Sequence, residues 1–301
     1  MMGGISMEEK KRSAAQESAV KKRSQIYLIL SRLMKDPISV ICLVILVLVF
    51  LTAIFAPVLA PYPYEKQDLM HILNDPSTEH LCGTDELGRD ILSRLIYGAR
   101  NSLLIGFAST FLAFIIGVPL GLLAGYSGKA TDNIIMRIMD ILQAIPSTLL
   151  AISISAALGI GLINCIIALG VARVAGLARM ARAASLNVAN QEYIEAAKAM
   201  DVGKWTILFK HVLPNSLSPI IVQATSFVAS AIMVSAGLSF IGLGVQPPQA
   251  EWGAMLSVAR DYLRQHPHML VAPLVAILIL VLSLNLLGDG LRDALDPKLK
   301  K

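Results

Sequence analysis

The chain has 301 residues, of which 55% are hydrophobic and 16% charged, with a formal net charge of +5. Soluble domains carry about 25% charged residues. Here the lysines and arginines gather beside apolar runs instead of along one polar face, which excludes a nucleic-acid-binding class. Several apolar runs reach the roughly 20 residues that cross a membrane's hydrocarbon layer as helix, so the composition points to an all-α polytopic membrane protein.

The first 37 residues form a polar tail in which Lys10, Lys11, Arg12, Lys21, Lys22 and Arg23 outnumber Glu8, Glu9 and Glu17. A cleavable signal is not expected, because the positive region is long and the span after it has no small-residue cleavage site. Asp36-Pro37 reads as a helix cap with proline in the first turn, and it opens a first span over 38–59. Pro61 and Pro63 then break the helix and lead into an acidic interval, 60–100. The end of that interval, 87–97, places Leu87, Ile91, Leu92, Leu95 and Ile96 on one helical face. The pattern predicts an amphipathic helix on the membrane surface or against the bundle.

The second span, 102–125, carries Gly117, Gly121 and Gly125 four residues apart, a spacing that lets a neighbouring helix approach closely in lipid. Pro119 is tolerated within it. The third span covers 134–158 and Gly159 to Asn164 make a tight turn. The fourth, 165–179, is short and contains Arg173, read as a side chain reaching for the interface. Ser218-Pro219 reads as the cap and first turn of a fifth span that runs to 244. Pro247-Pro248 opens a second polar interval, in which Trp252, Met255, Leu256, Ala259, Tyr262 and Leu263 share one helical face. The sixth span is 269–287, followed by a charged tail, 289–301.

Six spans place both termini on one side, and the intervals 60–100 and 245–268 on the other. The basic tail, the Arg179, Arg182, Lys198, Lys204 and Lys210 region, and Lys298, Lys300 and Lys301 share the first side. By the positive-inside rule that side is cytoplasmic, which leaves Cys82 extracytoplasmic. Three cysteines without a pairing pattern imply no disulfide framework.

The motifs of self-sufficient energy coupling are missing from the sequence. A phosphate-binding loop needs Gly-x-x-x-x-Gly-Lys-Ser/Thr; around Gly128-Lys129 the hydroxyl position is Ala130 and the first glycine position is Leu123. No HExxH pair, CxxC pair or nucleophile elbow occurs, and no cofactor is expected. Arg137, Asp140 and Gln143 share one face of the third span. Arg137 and Asp140 are expected to pair with each other, either as a structural pair near the interface or as part of a transport path. Asn285 and Asp289 read as a solvated helix end. His266-Pro267-His268 has no further ligand readable nearby, and a metal site usually needs three or four, so the two histidines read as loop residues.

Between the fourth and fifth spans lies a polar stretch, 191–215, that opens with a helix signal over 192–200. Its alanines combine high helix propensity with little bulk, and Gly203 breaks the helix. Glu195-Ala196-Ala197, followed by Leu213-Pro214, resembles the EAA loop of ABC-importer permeases, with Asp201 where that family has glycine and Gly203 the nearest glycine. The resemblance continues through LCGTDELGRDILSRLIYGARNSL (81–103), GLSFIGLGVQPPQAEWG (237–253) and GDGLRDALDPK (288–298), and covers the chain from about residue 38 onward. The nearest likeness is to the C-type subunit of dipeptide and oligopeptide importers. Nickel permeases share the same flanking motifs.

What the resemblance implies is a type I ABC importer permease fold of six transmembrane helices. It divides the chain into an N-terminal tail (1–37), a first transmembrane helix with its extracytoplasmic segment (38–98), a core permease domain (99–288) and a C-terminal tail (289–301). It also implies a second permease subunit, two cytoplasmic ATPases and an extracytoplasmic binding protein, in the cell membrane of a prokaryote. Glu195, Ala196, Ala197, Asp201, Gly203, Leu213 and Pro214 would form the ATPase-coupling loop, and a bulky residue at Ala197 would be expected to push the docked surfaces apart. Arg137, Asp140 and Gln143 remain candidates for the translocation path. Peptide import, import of nickel or a metal chelate, and ion-coupled secondary transport stay open as functions.

Overall fold

The computed structural model describes residues 30–295. The basic tail from Lys10 to Arg23 and the end at Lys298, Lys300 and Lys301 lie outside the described residues. Among the described residues five helices are long and apolar enough to cross a membrane, and six if one bent pair counts as a single span.

The first, α1 (Pro37–Ile54), begins as its sequence predicts: Asp36 accepts from the Ile38 and Ser39 amides, and Pro37 sits in the first turn. Such a cap contributes about 0.5–2 kcal/mol. A short α2 (Ala56–Leu59) follows. Then α3 (Ile91–Tyr126) runs unbroken for 36 residues, so the expected amphipathic helix is fused to the second span. No proline lies between residues 97 and 102 to break the helix, and Arg94, buried in the first turn of α3, reaches back 3.5 Å to Asp85.

The third span is also corrected. It consists of α4 (Lys129–Ala144) and α5 (Ser147–Leu158), bent by 81°. Pro146 disfavours helical backbone at the residue before it, and Ile145 is extended. After the glycine turn, α6 (Leu162–Ala189) is far longer than the predicted fourth span. Arg173 therefore lies mid-helix and stacks its guanidinium over Phe227 at 5.0 Å instead of reaching for an interface.

The polar stretch forms α7 (Glu192–Ala199) and a short α8 (Lys204–Ile207), then a π-helical turn over Leu208–Val212 that leads into α9 (Leu213–Phe240). Ser218-Pro219 is thus inside the fifth span and not at its start. The π turn falls just before Pro214, whose missing amide cannot join an α-helical ladder. The second polar interval carries α10 (Trp252–Ala259) and a 3-10 turn over Arg260–Tyr262. Trp252, Met255 and Ala259 are buried as predicted, while Leu263, past the helix end, is exposed. Finally α11 (His268–Leu295) carries the sixth span well into the expected tail, so Asn285 and Asp289 lie within a helix and do not end one.

The core forms where α3 packs along α6. A Cβ on Gly117 would come 2.7 Å from the Val174 carbonyl oxygen, and one on Gly125 would come 2.8 Å from that of Arg182. The four-residue glycine spacing thus marks a backbone-to-backbone seam, answered on α6 by Ala178 and Ala181. On one side of the bundle, α1 lies against α11 and α3, with Ser39 directly beneath Gly290.

The two polar intervals meet at one end of the bundle. Arg94 donates toward the Pro248 carbonyl at 3.5 Å, and the Trp252 indole donates to the Leu95 carbonyl at 2.9 Å. Two buried arginines hold the acidic interval together. Arg89 pairs with Asp85 at 2.6 Å and with Glu86 at 2.7 Å. His80 Nδ1 sits 2.9 Å from Asp90, which also caps α3. At the opposite end Arg32 donates to the Ala294 carbonyl, so the N-terminal side of α1 meets the C-terminal end of α11. There too lies α7, with Lys198 over the Tyr126 ring at the end of α3.

Candidate functional site

The helix predicted over 192–200 is present as α7, and its two faces differ. Ile194 and Ala197 point inward and are buried in the core cluster that contains Leu177, Ala181 and Val212. Glu195, Ala196, Lys198 and Ala199 are exposed. This corrects the expectation for Ala197: at 6% exposure it packs the helix onto its own bundle. A bulky residue there would disturb that packing before it met a partner. The outward small residues are Ala196 and Ala199.

The end of α7 shows why Asp201 can stand at the family's glycine position. Asp201 has φ +56°. Its amide donates to the Lys198 carbonyl at 3.0 Å, and the Val202 amide to the Ala197 carbonyl at 3.1 Å. Together these bonds form a Schellman termination, which needs one left-handed residue just past the helix. Aspartate reaches that region more readily than bulkier residues do. Val202 also packs against the cluster holding Ala197. Gly203 has φ −55°, so it needs no special conformation and does not take over the missing glycine's role. Leu213 and Pro214 lie at the junction of the π turn and α9, where Leu213 packs on the same cluster.

Two ion pairs that the sequence left unread connect α4 to α6. Arg182 grips Asp132 through Nε at 2.5 Å and a second nitrogen at 2.6 Å. Arg179 pairs with Asp140 at 2.6 Å. The predicted Arg137–Asp140 pair does not form, because α4 lies beside α6 and gives Asp140 a partner on that helix. Arg137 and Gln143 are exposed on α4, and Asp140 is half-exposed. The three therefore share an open face of the bundle, next to the bend at Pro146. On α9 Ser226, Met233, Gly237 and Phe240 are also exposed, and Met233, Gly237 and Phe240 follow helical spacing.

A third feature missed in the sequence is Glu251, fully buried at the start of α10. It accepts from the Ala254 amide at 2.8 Å and lies 3.4 Å from the Ser102 hydroxyl. Burial pushes its carboxyl above the usual carboxylate range, with the amides of Gly253 and Ala254 opposing that shift. Its sequence signals were its place in the 237–253 motif and just before the apolar helical face that opens at Trp252.

Residues 117–301 match the family described as the binding-protein-dependent transport system inner membrane component, and residues 24–76 match the N-terminal transmembrane domain of oligopeptide transport permease C. The chain is 48% identical over 264 residues to a di/tripeptide transport system permease protein of Pseudomonas aeruginosa, covering 86% of this chain and 87% of the relative. It is 44% identical over 270 residues to a glutathione transport system permease of Pectobacterium atrosepticum, covering 89% and 90%. Among solved structures it resembles an inward-facing form of the MetNI methionine ABC transporter, with a TM-score of 0.58 and 25% identity over 68% of this chain and 98% of that one. The all-helical bundle with its helix between two spans is the type I importer arrangement. The chain belongs to the inner membrane components of binding-protein-dependent transport systems, as a permease subunit of an ABC importer.

Proposed function

We propose that this permease forms half of the translocation path for di- or oligopeptides. The observation that carries the reading is the 44–48% identity, over most of the chain, to permeases named for dipeptides, tripeptides and glutathione. The chemistry of the chain agrees with it. A path for bare metal calls for several His, Cys or carboxylate ligands on facing spans. The open face of α4 offers Arg137, Asp140 and Gln143, while Cys42 and Cys165 are buried apart from it. Charged and amide groups of that kind suit the termini and backbone of a hydrated peptide.

In this reading a second, different permease subunit covers the exposed faces of α4, α5 and α9, and the core domain extends over 99–288. Two ATPases sit in the cytoplasm, one against the Glu195, Ala196 and Ala199 face of α7. A binding protein delivers cargo to the polar cap at the opposite, extracytoplasmic end, and both termini are cytoplasmic. Rigid attachment of α7 to the core through Ile194, Ala197 and the Asp201 turn transmits ATPase closure to α9. Reconstitution of the complex with its own binding protein tests the substrate. ATP-dependent uptake of labelled di- or tripeptides is expected. Uptake of radiolabelled nickel with no peptide uptake would overturn the assignment.

A further inference from the structure

We propose that Asp75, His266 and His268 form a binding site for a divalent transition-metal ion of the zinc class, which clamps the polar cap to the start of α11. Asp75 lies in the turn-rich interval after α2, and the two histidines flank Pro267 where the second polar interval enters α11. The fold brings these distant segments together, and one ligand atom from each side chain lies within 4.8 Å of the other two.

The distances are longer than direct hydrogen bonds and match the spacing of ligands around one ion. Asp75 Oδ1 is 3.4 Å from His268 Nδ1 and 3.9 Å from His266 Nδ1. A nitrogen donor meets an oxygen at about 2.7–3.2 Å, as the other two cap histidines do: His80 and His71 each sit 2.9 Å from a carboxylate. Two ligands of one tetrahedral ion, each about 2.0–2.2 Å from the metal, stand about 3.3–3.6 Å apart. The Asp75 separations lie at that spacing or slightly beyond it, and a small inward shift of the exposed Asp75 closes the set.

Hydrogen bonding leaves the same gap. His266 Nδ1 and His268 Nε2 are buried without a hydrogen-bond partner. An orphaned buried nitrogen is disfavoured, and an ion between the rings and Asp75 would satisfy His266 directly. The rings are held ready for it. Pro267 fixes the backbone between them, they meet edge to face with centroids 5.8 Å apart, and His268 rests against Gly83, where an added Cβ would fall 2.8 Å from its Nε2. Two imidazoles and one carboxylate select zinc, nickel or copper over the oxygen-preferring calcium and magnesium. Asp75 is 82% exposed, so a fourth position opens to water. The role is structural: the ion would anchor a segment that has no regular helix, whatever the cargo.

The test uses the full chain carrying a tag without histidine, purified in detergent and stripped with a chelator. Cobalt(II) is titrated as the probe, and zinc(II) is then added. One cobalt per chain with visible ligand-field absorption is expected, displaced by zinc, and zinc should raise the melting temperature. Asp75→Asn, on an exposed side chain that the fold does not need, should weaken cobalt binding at least tenfold, as should His266→Ala, while His211→Ala leaves it unchanged. Both weakened variants should melt like the metal-free parent and lose the zinc-induced rise. Absence of a ligand-field band in the parent chain would overturn the proposal. So would equal affinity in the parent, Asp75→Asn and His266→Ala.

Discussion

Gly121→Ala tests the packing seam most sharply. The new methyl group would lie 2.7 Å from Ala181 Cβ and 2.9 Å from the Ala178 carbonyl carbon, and closer still to the Ala178 carbonyl oxygen. Comfortable carbon contacts are about 3.5–4.0 Å, so α3 and α6 must separate by roughly 1 Å. The obstruction is mainly backbone, which cannot rotate aside, and overpacking of this kind costs about 1–3 kcal/mol. Alanine also regains about 1 kcal/mol of helix propensity over glycine, leaving a net loss of up to about 2 kcal/mol. Gly237→Ala is the matched control, because a Cβ there meets nothing within 4 Å and keeps the propensity gain. Thermal unfolding of the purified chain in detergent should place Gly121→Ala below the parent and Gly237→Ala at or above it. If Gly121→Ala melts as high as Gly237→Ala, the seam is not held by close backbone approach.

Two further outcomes follow from local geometry. Asp201→Gly should be neutral or stabilise the purified chain by up to about 1 kcal/mol, because glycine takes positive φ without strain. Asp201→Val should lower the melting temperature, and equal melting of the two variants would contradict the left-handed turn. In a variant with Cys42 and Cys165 replaced, an impermeant maleimide should label Cys82 in intact cells. Burial, and then the Asp90 charge, raise the Cys82 thiol above its ordinary range. The reactive thiolate is therefore scarce at neutral pH, and the labelling rate should climb about tenfold between pH 7 and 8. Labelling only after lysis would reverse the proposed orientation.

Much of the fold was legible because its signals are local. Asp36-Pro37 caps α1, the glycines at 117, 121 and 125 form a seam, and the 191–215 stretch carries α7. What stayed hidden depends on partners distant in sequence. Periodicity paired Asp140 with Arg137 on its own helix; the actual partner, Arg179, is supplied by a neighbouring helix that periodicity does not place. Ala197 looked like a docking residue because helix propensity does not say which face turns inward. Asp75 carried no sign that two histidines would meet it. The bend at Pro146 was in principle readable from the residue before a proline, but in an apolar run a span and a broken span have the same composition. The extra length of α3 and α6 was hidden for a related reason. Polar residues at their ends lower the hydropathy, while pairs such as Arg182–Asp132 allow the helix to continue.

The central claim is that α7 passes the ATPase stroke to the permease through its outward small-residue face. The direct measurement is peptide uptake together with peptide-stimulated ATP hydrolysis in the reconstituted complex carrying Ala196→Trp, beside the unaltered complex. Ala196 is exposed, so the variant should insert, fold and assemble its permease pair. Uptake and stimulated hydrolysis should fall together by about fivefold or more, since about 1–3 kcal/mol of overpacking at the interface corresponds to at least that factor. Full uptake and full stimulation with the bulky tryptophan in place would contradict the account.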